Sequence, residues 1–228
     1  QSQYNTAFEV RYKINSNNTA PLGFFRTDIL VALAVLALTV LMDPVNAALP
    51  EMPENLEKIL KDMTGGTLWI NFLSVSIMAP FFEEWLCRGT ILRGLLNFKN
   101  ENKAGEITRG MNPYWAITIS AIFFAVLHMN LWQGLNAFAL GWIFGYVYYR
   151  TGSLTLTMLM HFVNNTFALV MSRILPEEAV DLSLQETIGI VPFIVLFFAC
   201  AAFMFFFVKK MQSIPLQSPQ GNCDMTQE

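Results

Sequence analysis

The chain has 228 residues, of which 54% are hydrophobic and 14% charged, with 20 Phe, a net charge of −3 and a mean hydropathy of +0.43. That balance is a membrane composition rather than that of a water-soluble domain. It excludes nucleic acid as a partner, because no cluster of Lys and Arg forms a face for phosphates.

The first 27 residues form a polar segment, with Asn15, Ser16, Asn17 and Asn18 in succession, and the chain opens on Gln1 rather than Met. This start reads as a piece with sequence missing upstream. Six apolar windows follow, at roughly 28–42, 67–96, 114–131, 134–149, 154–171 and 188–208. The second is longer than one crossing; several others fall short of the ~20 residues that span a bilayer, so they must tilt or borrow flanking polar residues. Lipid leaves backbone groups no partner outside the chain, and the windows therefore read as helices. The expected fold is an all-α, polytopic transmembrane bundle of about six spans over residues 28–208, with a cytosolic, disordered tail at 209–228. The three cysteines, Cys87, Cys200 and Cys223, give no paired framework, and no disulfide is expected.

Basic residues favour the cytosolic side of a membrane. With the amino terminus inside, six spans place Arg11, Lys13, Arg26, Arg88, Arg93, Lys99, Lys103, Arg109, Arg150, Lys209 and Lys210 inside, and only Lys58, Lys61 and Arg173 outside. The outer loops then collect Asp43, Glu51, Glu54, Glu57, Asp62, Glu177, Glu178, Asp181 and Glu186. Both termini are accordingly expected in the cytosol.

Few strongly polar residues remain inside the spans: Glu83, Glu84, Arg88, His128, His161, Asn164 and Asn165. A charged residue facing lipid costs roughly 2.5–3.5 kcal/mol near the bilayer centre, so these groups should converge in the bundle interior. Glu84 and Arg88 are four apart and share a helix face as an ion pair, while Glu83 points about 100° away and is free for another task. His161 and Asn165 also share a face, and Phe124 lies one turn below His128. A carboxylate, two imidazoles and an amide around one point are the inventory of a hydrolytic site.

Several chemistries fail on the residues present. A nucleophile turn of the GxSG kind is missing, since the one Gly-Ser pair, Gly152-Ser153, sits in a short loop; no span interior carries an Asp, and there is no HExxH. Cys87 beside Arg88 is a candidate thiol, but a cysteine in an apolar helix is ordinarily a small core hydrophobe. Two readings survive: water activated by glutamate, or a metal such as zinc held by Glu83, His128 and His161 with an open position. Proton or ion transport through the same groups, and a catalytically idle scaffold, are the alternatives of other classes.

Three motifs carry a resemblance. Glu83-Glu84-Trp85-Leu86-Cys87-Arg88 fits EExxxR, Phe124-Ala125-Val126-Leu127-His128 fits FxxxH, and His161-Phe162-Val163-Asn164-Asn165 fits HxxxN. In this order, on successive hydrophobic segments, they resemble the CPBP family of intramembrane proteases, which includes the CAAX proteases and bacteriocin-processing enzymes and is also called the Abi family. The resemblance implies that Glu83 is the general base, that His128 holds the water, and that His161 and Asn165 donate to the oxyanion. It implies that Glu84 and Arg88 brace the helix beside them, that Phe124 supports the imidazole, and that no cofactor is needed, with zinc as the alternative. It also implies membrane lipids and a membrane-associated protein or peptide as partners; the compactness of the chain favours a bacterial plasma membrane over an endoplasmic reticulum.

Overall fold

The computed structural model describes residues 13–16, 19, 22–101, 107–175 and 182–216. All six apolar windows are helical. The first becomes α1 (Phe24–Ala47), and the stretch expected as an outer loop contains a second helix, α2 (Glu54–Gly65), with Glu54 and Glu57 in its first turn, where carboxylates complement the positive helix end. The second window becomes α3, one continuous helix over 68–97. It is not regular: α-helical stretches at Leu68–Asn71, Ala79–Glu84 and Arg93–Asn97 alternate with π-helical stretches at Phe72–Met78 and Trp85–Leu92. A short antiparallel pair, β1 (Lys99–Glu101) with β2 (Ile107–Arg109), is an addition to the all-α expectation. Then come α4 (Pro113–Leu127), α5 (Leu131–Thr151), α6 (Leu154–Ile174), α7 (Leu184–Ile188) and α8 (Ile190–Gln212).

The chain is an integral membrane helical bundle. Among the described residues α1, α6 and α8 are long and apolar enough to cross a membrane, and α4 is a shorter apolar helix. The expected six crossings are thus clear for three windows only. The α3 window is divided into short α and π stretches, α4 stops at Leu127, and α5 carries Gln133, Asn136 and Arg150. The last helix runs to Gln212, so residues 209–212, expected in the tail, are helical; residues 217–228 lie outside the described residues, as does Cys223.

Local chemistry sets the helix ends. Asn112, ahead of Pro113 in the first turn, accepts from Tyr114 N at 3.0 Å, Asn130 accepts from Gln133 N at 2.9 Å, and Ser153 accepts from Leu156 N at 3.2 Å. Each satisfies a backbone N–H that the helix start leaves open. At the end of α5, Gly152 takes φ +66°, the left-handed cap that a residue with a Cβ rarely adopts, and its N–H bonds Tyr148 O.

Packing follows from the apolar faces. α1 lies against α6 and α8, α4 runs along α5, and α6 packs on the first half of α3. The core is continuous from Val31, Ala34 and Val35 on α1 through Phe144 and Val147 on α5 to Met160 on α6 and Phe207 on α8. Glycine permits the close approach of α4 and α5: a Cβ on Gly145 would stand 3.1 Å from Ile117 Cγ2. Arg150 fastens the end of α8, donating to Met211 O at 3.0 Å and Gln212 O at 2.6 Å.

The short α7 is held at its amino end from two directions. Asp43 of α1 accepts from Leu184 N at 2.8 Å, and Ser183 and Glu186 form a reciprocal capping box, with Glu186 Oε2 2.8 Å from Ser183 N. Those bonds from the backbone and hydroxyl of Ser183 hold the Glu186 carboxyl below the usual carboxylate range. A depressed folded value contributes stability above the ordinary glutamate range, and that contribution is lost as pH falls through the folded value. Hydrogen exchange of the 184–187 amides, corrected for the intrinsic rate, is expected to show opening of α7 on acidification. Glu186→Ala should already be open near neutrality and respond less to acid; an unchanged acid response in that variant would remove Glu186 from the account.

Candidate active site

The site is built on α3. Glu84 and Arg88 are both fully buried, and Arg88 Nη1 donates to Glu84 Oε1 at 2.8 Å, the pair expected from their four-residue spacing. The other arm of the guanidinium, Nη2, donates to Gly141 O on α5 at 2.8 Å. Its plane is roofed by aromatic rings, with Phe124 at 4.6 Å and Phe144 at 5.3 Å from the guanidinium carbon. A planar fork satisfies both partners at once, which a lysine ammonium on the same stem cannot do.

Glu84 also joins α3 to α6. Its Oε1 lies 3.1 Å from His161 Nδ1, and because that oxygen is the acceptor for Arg88, the imidazole nitrogen facing it carries the proton. His161 Nε2 is therefore the nitrogen turned toward Glu83, whose Oε2 is 3.8 Å away. Glu83 differs from its neighbour in exposure, its side chain being 30% exposed where that of Glu84 is fully buried; Oε2 of each carboxylate is buried and has no hydrogen-bond partner among the described residues. The spacing argument that separated Glu83 from the Glu84–Arg88 pair thus holds inside the bundle, although Glu83 shares His161 with that pair.

One turn beyond His161 on α6, Asn165 Nδ2 donates to Val75 O at 2.8 Å, and its Oδ1 accepts from Asn164 Nδ2 at 3.1 Å. The shared face of His161 and Asn165 is thus turned to α3, and one of Asn165's two amide protons is already committed to backbone.

His128 stands just past the end of α4. Its own N–H bonds Ala125 O at 3.2 Å, and its Nδ1 is 2.9 Å from Phe124 O, so Nδ1 is the donor and Nε2 the free acceptor. Phe124 connects the two histidines: His128 and His161 both meet its buried ring edge to face, with centroids 5.2 and 5.3 Å away. No hydrogen bond links His128 to Glu83, His161 or Asn165 among the described residues. The structure therefore brings Glu83, Glu84, Arg88, Phe124 and His161 into one contiguous group, ties Asn165 to the same helix, and holds His128 across one aromatic ring.

Among the described residues no group of three or more His, Cys, Asp or Glu is arranged to hold a metal ion, and Glu83, His128 and His161 do not form such a set. Cys87 is buried against Phe124 and Ala137 and its carbonyl accepts from Ser120 Oγ at 2.9 Å, the surroundings of a core residue. Two participants were not read from the sequence. Phe144 lies against both Arg88 and His161, and Gly141 supplies the carbonyl for Arg88; a Cβ there would be 3.0 Å from the Phe124 ring and 3.2 Å from Arg88 Nη2. The signal was available in Gly141-Trp142-Ile143-Phe144-Gly145, a small-xxx-small spacing that marks close helix contact in membranes.

Comparison with known proteins adds an independent line. Residues 65–167, which include every site residue named above, match the family model described as Type II CAAX prenyl endopeptidase Rce1-like. The chain is 28% identical over 118 residues to "Putative membrane peptidase YdiL" of Bacillus subtilis (strain 168); the match covers 52% of this chain and 43% of that protein, so it spans less than half the length of this relative. No solved structure gives a significant match.

Removing Arg88 leaves the Glu84 charge buried beside His161 alone. Arg88→Met is expected to cost about 3–5 kcal/mol of stability, and Arg88→Lys to recover only part of it because the bond to Gly141 O is not replaced. Unfolding in detergent, followed by tryptophan fluorescence, measures both. An Arg88→Met protein as stable as the parent would show that the pair does not hold this group together.

Proposed function

We propose, from the match of residues 65–167 to the type II CAAX prenyl endopeptidase Rce1-like family, that the chain is an intramembrane peptidase in which Glu83 activates water. Protease activity within the membrane is the family-level statement; the assignment of roles to residues is our own reading. The observation that carries it is the approach of Glu83 Oε2, buried and without a hydrogen-bond partner among the described residues, to His161 Nε2 at 3.8 Å. A water oxygen about 2.8 Å from each of two atoms at that separation fits the ordinary hydrogen-bond range.

In the proposed reaction Glu83 takes a proton from water as the oxygen attacks the scissile carbonyl carbon. The negative charge moves to the carbonyl oxygen. His161, when Nε2 is protonated, and the uncommitted N–H of Asn165 donate to that oxygen; each such donor is typically worth ~2.7–4 kcal/mol. Collapse of the tetrahedral intermediate breaks the carbon–nitrogen bond, and the proton on Glu83 passes to the leaving amine. His128, whose Nε2 is an acceptor with Nδ1 bonded to Phe124 O, is assigned as a second group that holds the water. Glu84 does no proton transfer in this scheme: it fixes which nitrogen of His161 faces Glu83. No metal takes part.

The substrate class proposed is a membrane-associated protein or peptide. The basic excess of the expected inner segments favours entry from the cytosol or the inner leaflet. A proton- or ion-coupled transporter is the competing reading, and it predicts flux rather than cleavage.

Two experiments test this. Mass-spectrometric mapping of new peptide termini, in membranes with and without the chain, is expected to find products that vanish in Glu83→Gln, by a factor of at least about 10³, while its unfolding midpoint stays within about 2 °C of the parent. Products that persist in Glu83→Gln would sink the proposal, and proton flux in vesicles lost by the same variant would favour transport. Separately, cleavage by purified protein is expected to continue undiminished in excess chelator; loss that zinc restores would refute the metal-free mechanism.

A further inference from the structure

We propose that Asn165 is a positioning residue that supplies to α3 the hydrogen-bond donor Pro80 cannot. In the π-helical stretch Phe72–Met78 the ladder runs from each N–H to the carbonyl five residues back, and Ala79 N–H bonds Ser74 O in that register. The next carbonyl, Val75 O, would take its bond from residue 80 in the π register or from residue 79 in the α register. Residue 80 is proline, which has no N–H, and the N–H of Ala79 is already directed to Ser74. Val75 O is left with no helical donor. In lipid that is a cost with no solvent to cover it.

Asn165 Nδ2 fills the gap at 2.8 Å. The bond crosses from α6 to α3 at the junction where the π stretch gives way to Ala79–Glu84, the turn that carries Glu83 and Glu84. His161, one turn before Asn165 on the same face, contacts both carboxylates. The two residues therefore grip α3 at two levels, one on the backbone and one on the side chains. The first contact fixes the rotation and height at which α3 presents Glu83 to the second. Proline three residues before Glu83 and asparagine four residues after His161 become one device: the proline removes a donor and the asparagine returns it from another helix.

The catalytic consequence rests on the reading of Glu83 as the base, whereas the coupling of Pro80 to Asn165 does not. A double-mutant cycle separates them. In Pro80→Ala the new N–H reaches a carbonyl of the preceding turn, and the helix no longer depends on Asn165. Asn165→Ala alone is expected to lower the folding equilibrium about tenfold; made on Pro80→Ala, the same substitution is expected to change it less than twofold. Should Asn165→Ala fail to fold, Asn165→Ser, which is too short to reach Val75 O, takes its place in both backgrounds.

A second readout distinguishes positioning from mere stability. The chain has two histidines, so nitrogen-15 histidine labelling yields the imidazole resonances of His128 and His161 alone. Asn165→Ala is expected to displace the His161 Nε2 resonance in the Pro80 background and to displace it much less in the Pro80→Ala background. Equal losses of folding in both backgrounds, or a His161 displacement of the same size in both, would overturn the proposal. Neither readout uses a substrate. A failed cycle would leave the protease reading standing, and an active Glu83→Gln would overturn that reading without touching the cycle.

Discussion

A backbone carbonyl in lipid has nothing to bond to except the protein itself, and that constraint organises this molecule. The helices around the site are irregular: α3 twice relaxes into a π-helical stretch, and α4 stops at Leu127. Each irregularity leaves or bares a carbonyl, and side chains of the site occupy them. Asn165 bonds Val75 O, His128 Nδ1 bonds Phe124 O and Ser120 bonds Cys87 O, while Arg88 bonds Gly141 O inside the regular α5. A polar side chain committed at one end to backbone has lost much of its rotational freedom before any substrate arrives. The ordering that the proposed catalysis requires is thereby met during folding.

The same economy governs charge. Of two adjacent carboxylates, Glu84 is paired with the Arg88 guanidinium, while Glu83 has the His161 imidazole at 3.8 Å. Phe124 and Phe144 exclude solvent from the pair and offer the guanidinium their ring faces. In such surroundings the orientation of a dipole matters more than it does in water. The bond from Glu84 to His161 Nδ1 is the example: it selects one face of the imidazole and directs Nε2 to Glu83.

Side-chain spacing was legible in the sequence because it depends on periodicity alone. The pairing of Glu84 with Arg88, the shared face of His161 and Asn165, and Phe124 beneath His128 all follow from one helical turn. The pairing survives even though Arg88 lies in a π-helical stretch, because a side chain of that length absorbs the added fraction of a residue per turn. What was not legible depends on backbone register. No residue type announces a π-helical stretch, and the role of Pro80 emerges only once Ala79 is seen to bond Ser74. Gly141 was overlooked for a related reason: its contribution is the absence of a side chain, and its value appears only with Arg88 and Phe124 packed against it. α2 was not legible as a span because its charged residues, Glu54, Glu57, Lys58, Lys61 and Asp62, outweigh its apolar ones.

An idle scaffold would account for the Glu84–Arg88 pair, because a buried ion pair can do no more than fix two helices. The proposed reading gives Glu83 a task that a scaffold does not. A second carboxylate beside a compensated one repels it and costs free energy in an apolar bundle. A scaffold gains nothing by aiming that oxygen at an imidazole already bonded to the neighbouring glutamate. An uncompensated acceptor, partly open and 3.8 Å from an oriented nitrogen, is costly for stability and suited to taking a proton. The burden therefore falls on Glu83, and the pair beside it is what allows the bundle to carry that charge.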